Sequence, residues 1–280
     1  MATDKRAAPR SYPSELVTLI GQSLARLVRE PSHSHRAEAG RRWARHSLLI
    51  AAVLAAAVVI LMVVIDKYGI GLMPTRGTAS LWPFRILTDF GKSAYVLSTL
   101  LALMVIVALV MPLLNGVSRV VLIGIGTRIQ FVFLSVLVSV TAGELLKGVI
   151  GRGRPFVGGA ANPFNFSTFA WSEAYASLPS GHAITAFALA FAIGALFPRL
   201  RLVMLAYAII IALTRLVLLA HHASDVVAGA MVGTVGAMFV RYWFAARRLG
   251  FTIHRDGSIE PLPGPSWDRL KGVAQVHRAP

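Results

Sequence analysis

Three short stretches of this sequence combine cations, imidazoles and a carboxylate. The first carries Lys147, Arg152, Arg154 and Pro155. The second runs Leu178, Pro179, Ser180, Gly181 and His182. The third holds Thr214, Arg215, His221, His222, Ser224 and Asp225. Lys147, Arg154 and Arg215 have little acid near them. Glu144 can pair with Lys147 at i,i+3, and Glu173 and Asp225 are the only other acids between Asp89 and Asp256. Such a group seeks an anion. Pro179, Ser180 and Gly181 at a helix start would offer free N–H groups and the positive end of the helix, which suits phosphate oxygens. His221 and Asp225 share a face if their turn is helical. Asp225 could then accept from Nδ1–H and leave Nε2 as a nucleophile. His182 could give a proton to a leaving oxygen. Nucleophile, acid and cationic clamp together describe phosphoryl transfer by positioning and electrostatics.

Each piece alone has a plainer reading. A single Lys147 or Arg154 is an interfacial anchor whose head snorkels to water. A single His-x-x-x-Asp is a structural pair or part of a metal site, and a single Pro-Ser-Gly-His is a helix cap. Arg215 is more specific, because a continuous helix would put it roughly 9 Å below His221. Arg152 reads as an exposed anchor, with a headgroup contact as the second choice, and His222 as a packing neighbour.

The elements that must carry these residues are membrane helices. Of 280 residues, 56% are hydrophobic and 14% charged, where a soluble domain carries about 25% charged. This excludes a disordered chain, a fibre and an ordinary soluble enzyme. Six segments are long and apolar enough, or nearly so, to cross a bilayer core about 30 Å thick: residues 47–65, 94–114, 120–146, 182–197, 202–220 and 225–244. Backbone groups in hydrocarbon must pair internally, so the spans are helices. The expected fold is all-α: a six-helix transmembrane bundle with an N-terminal amphipathic helix near residues 14–30. That helix either lies in the interface or packs on the bundle. The expected organisation is a cytoplasmic segment 1–46, a membrane domain 47–246 and a cytoplasmic polar tail 247–280, loosely ordered from Gly250 to Pro280.

Six spans put both termini on one side, with twenty of the 28 Lys and Arg, and leave eight opposite. The positive-inside rule makes the terminal side cytoplasmic. The three chemical stretches then fall together on the other side. With this topology the net charge of +16 reports orientation and anionic lipid, and no nucleic-acid partner is expected. The loop 66–92, with Leu81, Trp82, Phe84, Ile86, Leu87 and Phe90, suits the outer interface. Phe156, Phe164, Phe166, Phe169, Trp171 and Tyr175 in the loop 156–177 suit a lipid entrance. The chain has no cysteine, so disulfides and thiolate metal sites are excluded.

The three stretches resemble the signature of the type 2 phosphatidic acid phosphatase superfamily: K-x6-R-P, P-S-G-H and S-R-x5-H-x3-D. Lys147, Arg154 and Pro155 match the first part. Pro179, Ser180, Gly181 and His182 match the second, and Arg215, His221 and Asp225 the third. Thr214 stands where the pattern has Ser and keeps the hydroxyl. The resemblance implies a metal-independent phosphatase of lipid phosphates in a bacterial inner membrane, with no cofactor and with its site facing the periplasm. By the same resemblance His221 is the nucleophile that forms a phosphohistidine, Asp225 orients it, and His182 is the general acid and then base. Lys147, Arg154, Ser180, Gly181 and Arg215 hold the phosphoryl oxygens. The stretch Thr88–Ser93 and the Gly-Arg-Gly-Arg-Pro run look like bacterial members. Phosphatidic acid, phosphatidylglycerol phosphate, undecaprenyl diphosphate and the 1-phosphate of lipid A all remain open as substrates. A phosphotransferase of the same superfamily is an alternative. A haloperoxidase-like vanadate site, an anionic-lipid transporter and a zinc hydrolase fit less well: the first is soluble, the second calls for inverted repeats or broken helices, and three cations would repel the third's metal.

The absence of cysteine makes the orientation testable. With single cysteines at Ser167 and at Ser258, an impermeant maleimide is expected to label only the first in intact spheroplasts. The reverse pattern would refute the topology.

Overall fold

The computed structural model describes residues 11–155, 157 and 162–264. Phe156 and the ends of the expected terminal segments therefore lie outside the described residues. The chain folds into α1 (Tyr12–Val28), α2 (Arg36–Val64), a single turn α3 (Asp66–Gly69), α4 (Trp82–Asp89), α5 (Ser93–Val110), α6 (Gly116–Ile150), α7 (Gly181–Leu196), α8 (Arg201–Val217) and α9 (Ala223–Ala246). Strands β1 (Phe251–Ile253) and β2 (Ile259–Pro261) follow as an antiparallel pair.

Among the described residues five helical stretches are long and apolar enough to cross a membrane: Arg36–Val64, Ala79–Leu113, Gly116–Ile150, Pro198–Val217 and Ala223–Ala246. Gly181–Leu196 is apolar but shorter. Two of the helices overrun the apolar runs that mark them. α2 begins at Arg36, ahead of Arg41, Arg42 and Arg45, and α6 extends past both ends of its apolar stretch. Hydropathy marks where a bilayer is, whereas a helix continues into water until something stops it.

α9 lies at the centre, packed on α2, α6 and α7, while α8 leans on α7 and scarcely touches α9. Small residues permit the closest approaches. A Cβ on Gly233 would stand 2.4 Å from the Ile184 carbonyl oxygen of α7, and one on Gly229 would stand 2.6 Å from that of Ser180. Without lipid-excluding hydrophobic force between spans, such backbone contact is how membrane helices gain packing energy.

The end of the bundle away from the chemical residues is built by the termini. Phe131 of α6, Phe244 of α9 and Phe251 of β1 meet edge to face, with centroids 5.4 and 4.8 Å from Phe131. Phe251 and Ile253 are buried, the Ile253 N–H donates to His33 Nε2 at 3.1 Å, and Arg42 pairs with Asp256 at 2.9 Å. The described residues are mostly helical, as expected, and one short hairpin is added in the tail expected to be loosely ordered, whose residues 265–280 lie outside the described residues. Residues 251–261 form a hairpin because alternate residues of β1 enter a core cluster. α1 is held to the bundle by Tyr12 donating to the Leu109 carbonyl, by a Glu15–Arg119 ion pair, and by Trp243 donating to the Leu27 carbonyl.

Candidate active site

The opposite end gathers the ends of α2, α4, α6, α7, α8 and α9. α6 stops at Gly151, which takes a left-handed φ of 60°, and a Cβ there would lie 1.7 Å from the Ser167 carbonyl oxygen. The chain then pairs back on the loop: Ser167 N–H donates to the Gly151 carbonyl, Gly153 N–H to the Asn165 carbonyl, and Arg152 and Phe166 form an antiparallel bridge. This pairing turns Arg152 inward.

Arg152 is fully buried and uses all three guanidinium nitrogens. Nη1 donates to Asp225 Oδ1 at 2.6 Å and to Ser224 Oγ at 2.5 Å, Nη2 to Asp66 Oδ2 at 2.9 Å, and Nε to the Pro163 carbonyl at 3.0 Å. Both carboxylates are equally buried. The reading of Arg152 as an exposed anchor is thereby corrected. Its neighbour in sequence, Arg154, is the more exposed residue, with Nε on the Glu173 carbonyl at 3.0 Å.

α8 and α9 are separate helices. The chain breaks between them because Leu219 takes a left-handed φ of 48°, a conformation that ends helices. Arg215 thus sits in the last turn of α8, while His221 lies outside both helices, which corrects the continuous-helix geometry. His222 caps α9. Its N–H donates to Asp225 Oδ2 at 2.8 Å and its Nδ1 lies 3.2 Å from the same oxygen, so it does more than pack. Asp225 Oδ2 also accepts from Ser177 Oγ at 2.6 Å.

His221 Nδ1 lies 2.9 Å from the Ser177 carbonyl oxygen and 3.7 Å from Asp225 Oδ2. A carbonyl can only accept, so Nδ1 carries the proton and Nε2 holds the lone pair. The His221 tautomer is set by a backbone carbonyl, with Asp225 as a nearby charge rather than its direct partner. Burial, the largest influence, pushes the His221 pKa below its ordinary value, against an opposing pull from Asp225.

The remaining residues of the signature converge on this imidazole. His182 is within electrostatic reach of His221, Arg215 and Lys147, and His221 of Arg215 and Arg154. Lys147 pairs with Glu144 at 2.5 Å, as its spacing suggests, and a Cβ on Gly181 would stand 3.0 Å from its Nζ. Ser180 precedes the first turn of α7, but its N–H is already taken by the Asp225 carbonyl at 2.9 Å, so that part of the expected anion nest is occupied. Arg215 Nη1 donates to Thr88 Oγ1 at 2.7 Å. Thr214 Oγ1 bonds the Ile211 carbonyl, so its hydroxyl is used within its own helix.

Ser180 Oγ, His182 Nε2 and Arg215 Nε are buried without a hydrogen-bond partner among the described residues. Buried polar groups rarely go unpaired, and a tetrahedral oxyanion would satisfy all three. Among the described residues no group of three or more His, Asp or Glu is disposed to hold a metal ion. Phe164, Phe166, Phe169 and Trp171 of the following loop are exposed.

Sequence reasoning missed Asp66 and Ser177 and gave no role to Thr88 or Ser224. Asp66 did carry a signal: it is the only acid between Glu38 and Asp89, set directly after the first apolar run.

Arg152→Gln is expected to lower unfolding stability in detergent by about 3–5 kcal/mol, because two buried carboxylates lose their shared cation. Arg152→Lys should recover part of it, since an ammonium cannot reproduce the fork. A cost below about 1 kcal/mol, as for an exposed ion pair, would contradict the buried network.

The family model of the PAP2 superfamily matches residues 129–249. A lipid A 1-phosphatase of Rhizobium johnstonii is 34% identical over 173 residues, which span 61% of this chain and 71% of that protein. A lipid A 1-phosphatase of Rhizobium etli is 36% identical over 127 residues, or 45% of this chain and 55% of that protein. No solved structure matches the chain.

Proposed function

The chain belongs to the PAP2 superfamily, and from that premise we propose that it is an integral-membrane lipid phosphatase that removes the 1-phosphate of lipid A. The observation that carries the catalytic reading is the set of unpartnered buried groups, Ser180 Oγ, His182 Nε2 and Arg215 Nε, beside a neutral-tautomer His221. The substrate reading rests on both relatives, whose names specify it. In this reading the chain has six spans, α7 included, with α1 as an amphipathic helix at the cytoplasmic face. It lies in a bacterial inner membrane, with cytoplasmic termini and the catalytic end toward the periplasm.

His221 Nε2 attacks phosphorus, the bond from phosphorus to the lipid oxygen breaks, and protonated His182 gives its proton to that oxygen. The proton stays on His221 Nδ1, which donates it to the Ser177 carbonyl in a hydrogen bond, and the charge gained by the imidazole is balanced by Asp225. Lys147, Arg154 and Arg215 stabilise the oxygens in the transition state, with Ser180 and the α7 start beside them. Neutral His182 then takes a proton from water, whose oxygen attacks phosphorus. The nitrogen–phosphorus bond breaks, phosphate leaves, and both histidines return to their starting forms. Asp66 and Arg152 act indirectly, by holding Asp225.

Purified full-length protein should release phosphate faster from lipid A than from phosphatidic acid, phosphatidylglycerol phosphate or undecaprenyl diphosphate, and the lipid product should lack only the 1-phosphate. A preference for another lipid would overturn the substrate, and transfer to a second lipid without free phosphate would make the protein a phosphotransferase. Turnover should persist in EDTA, and loss restored by zinc or magnesium would contradict the clamp. His182→Ala should give a burst of about one nitrophenolate per enzyme from nitrophenyl phosphate, then stall with acid-labile phosphate on the protein, because that leaving group needs no proton. His221→Ala should give none. A burst from His221→Ala alone would exchange the roles. The acid limb of kcat/KM should fall below the ordinary histidine value of about 6.5, since the lowered pKa of His221 keeps its lone pair free at lower pH.

A further inference from the structure

At the end of the bundle away from the catalytic residues, α7, α8 and α9 enclose a cleft of about 410 Å3. Its walls include Phe187, Ala190, Phe191 and Leu205, and two arginines, Arg201 and Arg241, line it. Arg241 lies on α9 roughly 24 Å along the helix from Asp225, so the cleft belongs to the opposite leaflet. The cleft lies where α8 and α9 both pack on α7 but scarcely touch each other.

Both arginines line the cleft, and among the described residues no acid lines it with them. Among the described residues Arg241 Nε is buried without a partner, and its guanidinium sits 5.0 Å from the centre of the Phe191 ring. The charged groups acting on Arg241 are Arg201 and Arg42, both cations. Among the described residues neither Arg201 nor Arg241 is ion-paired with a carboxylate. Arg201 is exposed and tethered through Nε to the Gly194 carbonyl at 3.1 Å, which leaves its other nitrogens free to donate. A snorkelling arginine would carry its head to water. Arg241 is half-buried, with its Nε held out of water in the cleft and no partner for it among the described residues.

We propose that this cleft binds an anionic phospholipid of that leaflet, with its phosphate between Arg201 and Arg241 and one acyl chain along Phe187, Ala190 and Leu205. Two guanidinium forks match phosphate oxygens, and basic pockets between membrane helices are suited to lipid headgroups. The apolar walls select a lipid over free phosphate, which would leave them unused. The site is independent of the catalytic reading.

Native mass spectrometry of the full-length protein in detergent tests this with dioleoyl phosphatidylglycerol, a diester that a monoesterase does not consume. The wild type should retain one more such lipid than R201Q/R241Q, whose affinity should be at least about tenfold weaker. Dioleoyl phosphatidylcholine should not distinguish the two, and inorganic phosphate should not displace the bound lipid. A monodisperse size-exclusion profile checks the fold of the double variant. Arg201→Gln alone, at an exposed position, serves if the pair misfolds, and should weaken binding by a smaller factor. Equal retention of phosphatidylglycerol by variant and wild type, equal preference for the choline lipid, or displacement by inorganic phosphate would each overturn the proposal.

Discussion

A carboxylate taken out of water must find donors for both of its oxygens, and Asp225 finds them on three separate segments. Arg152 comes from the loop after α6, Ser177 from the loop before α7, and His222 from the turn between α8 and α9. Arg152 in turn reaches Asp66 at the end of α2, and Asp66 accepts from the N–H of Ser224 in the first turn of α9. Two buried carboxylates therefore share one guanidinium and the positive end of one helix. Satisfied in full, such a network is rigid; with one member removed it becomes a liability. The ends of four membrane helices are consequently fixed to one another at the place where His221 must stand.

This arrangement explains how His221 is held without touching Asp225, and in the proposed mechanism the nucleophile need not contact its acidic partner. The donors on Asp225 hold Ser177 in place, and the Ser177 carbonyl then fixes the proton on His221 Nδ1. Asp225 contributes through position and charge. The groups proposed to face phosphate are a second layer: Ser180 and His182 start α7, whose Ser180 N–H rests on the Asp225 carbonyl, and Arg215 is steered by Thr88.

The candidate site was legible in the sequence to the extent that it was local. Lys147, Arg154, Ser180, His182, Arg215, His221 and Asp225 announce themselves by residue type and spacing, and the apolar runs fix which ends of the helices meet. The network beneath was not legible, because its members are far apart in sequence and individually ordinary. Arg152 differs from Arg154 only in which way the loop turns it, and that depends on Gly151 and on pairing with residues 165–167. The break at Leu219 was hidden because an apolar residue in the left-handed region leaves no mark in composition. The hairpin at 251–261 was hidden because its two buried apolar side chains, Phe251 and Ile253, are too few to stand out in a polar tail.

The central claim is that Asp66, Arg152 and Asp225 act as one unit that positions the nucleophile, and a double-mutant cycle tests it most directly. Asp66→Asn, Arg152→Gln and the pair would be compared in unfolding free energy and in lipid phosphate turnover. The account predicts strong non-additivity, a coupling of at least about 1 kcal/mol in stability, with the pair little slower in turnover than Arg152→Gln alone. Effects that add to within about 0.5 kcal/mol, or single variants with wild-type turnover, would contradict it.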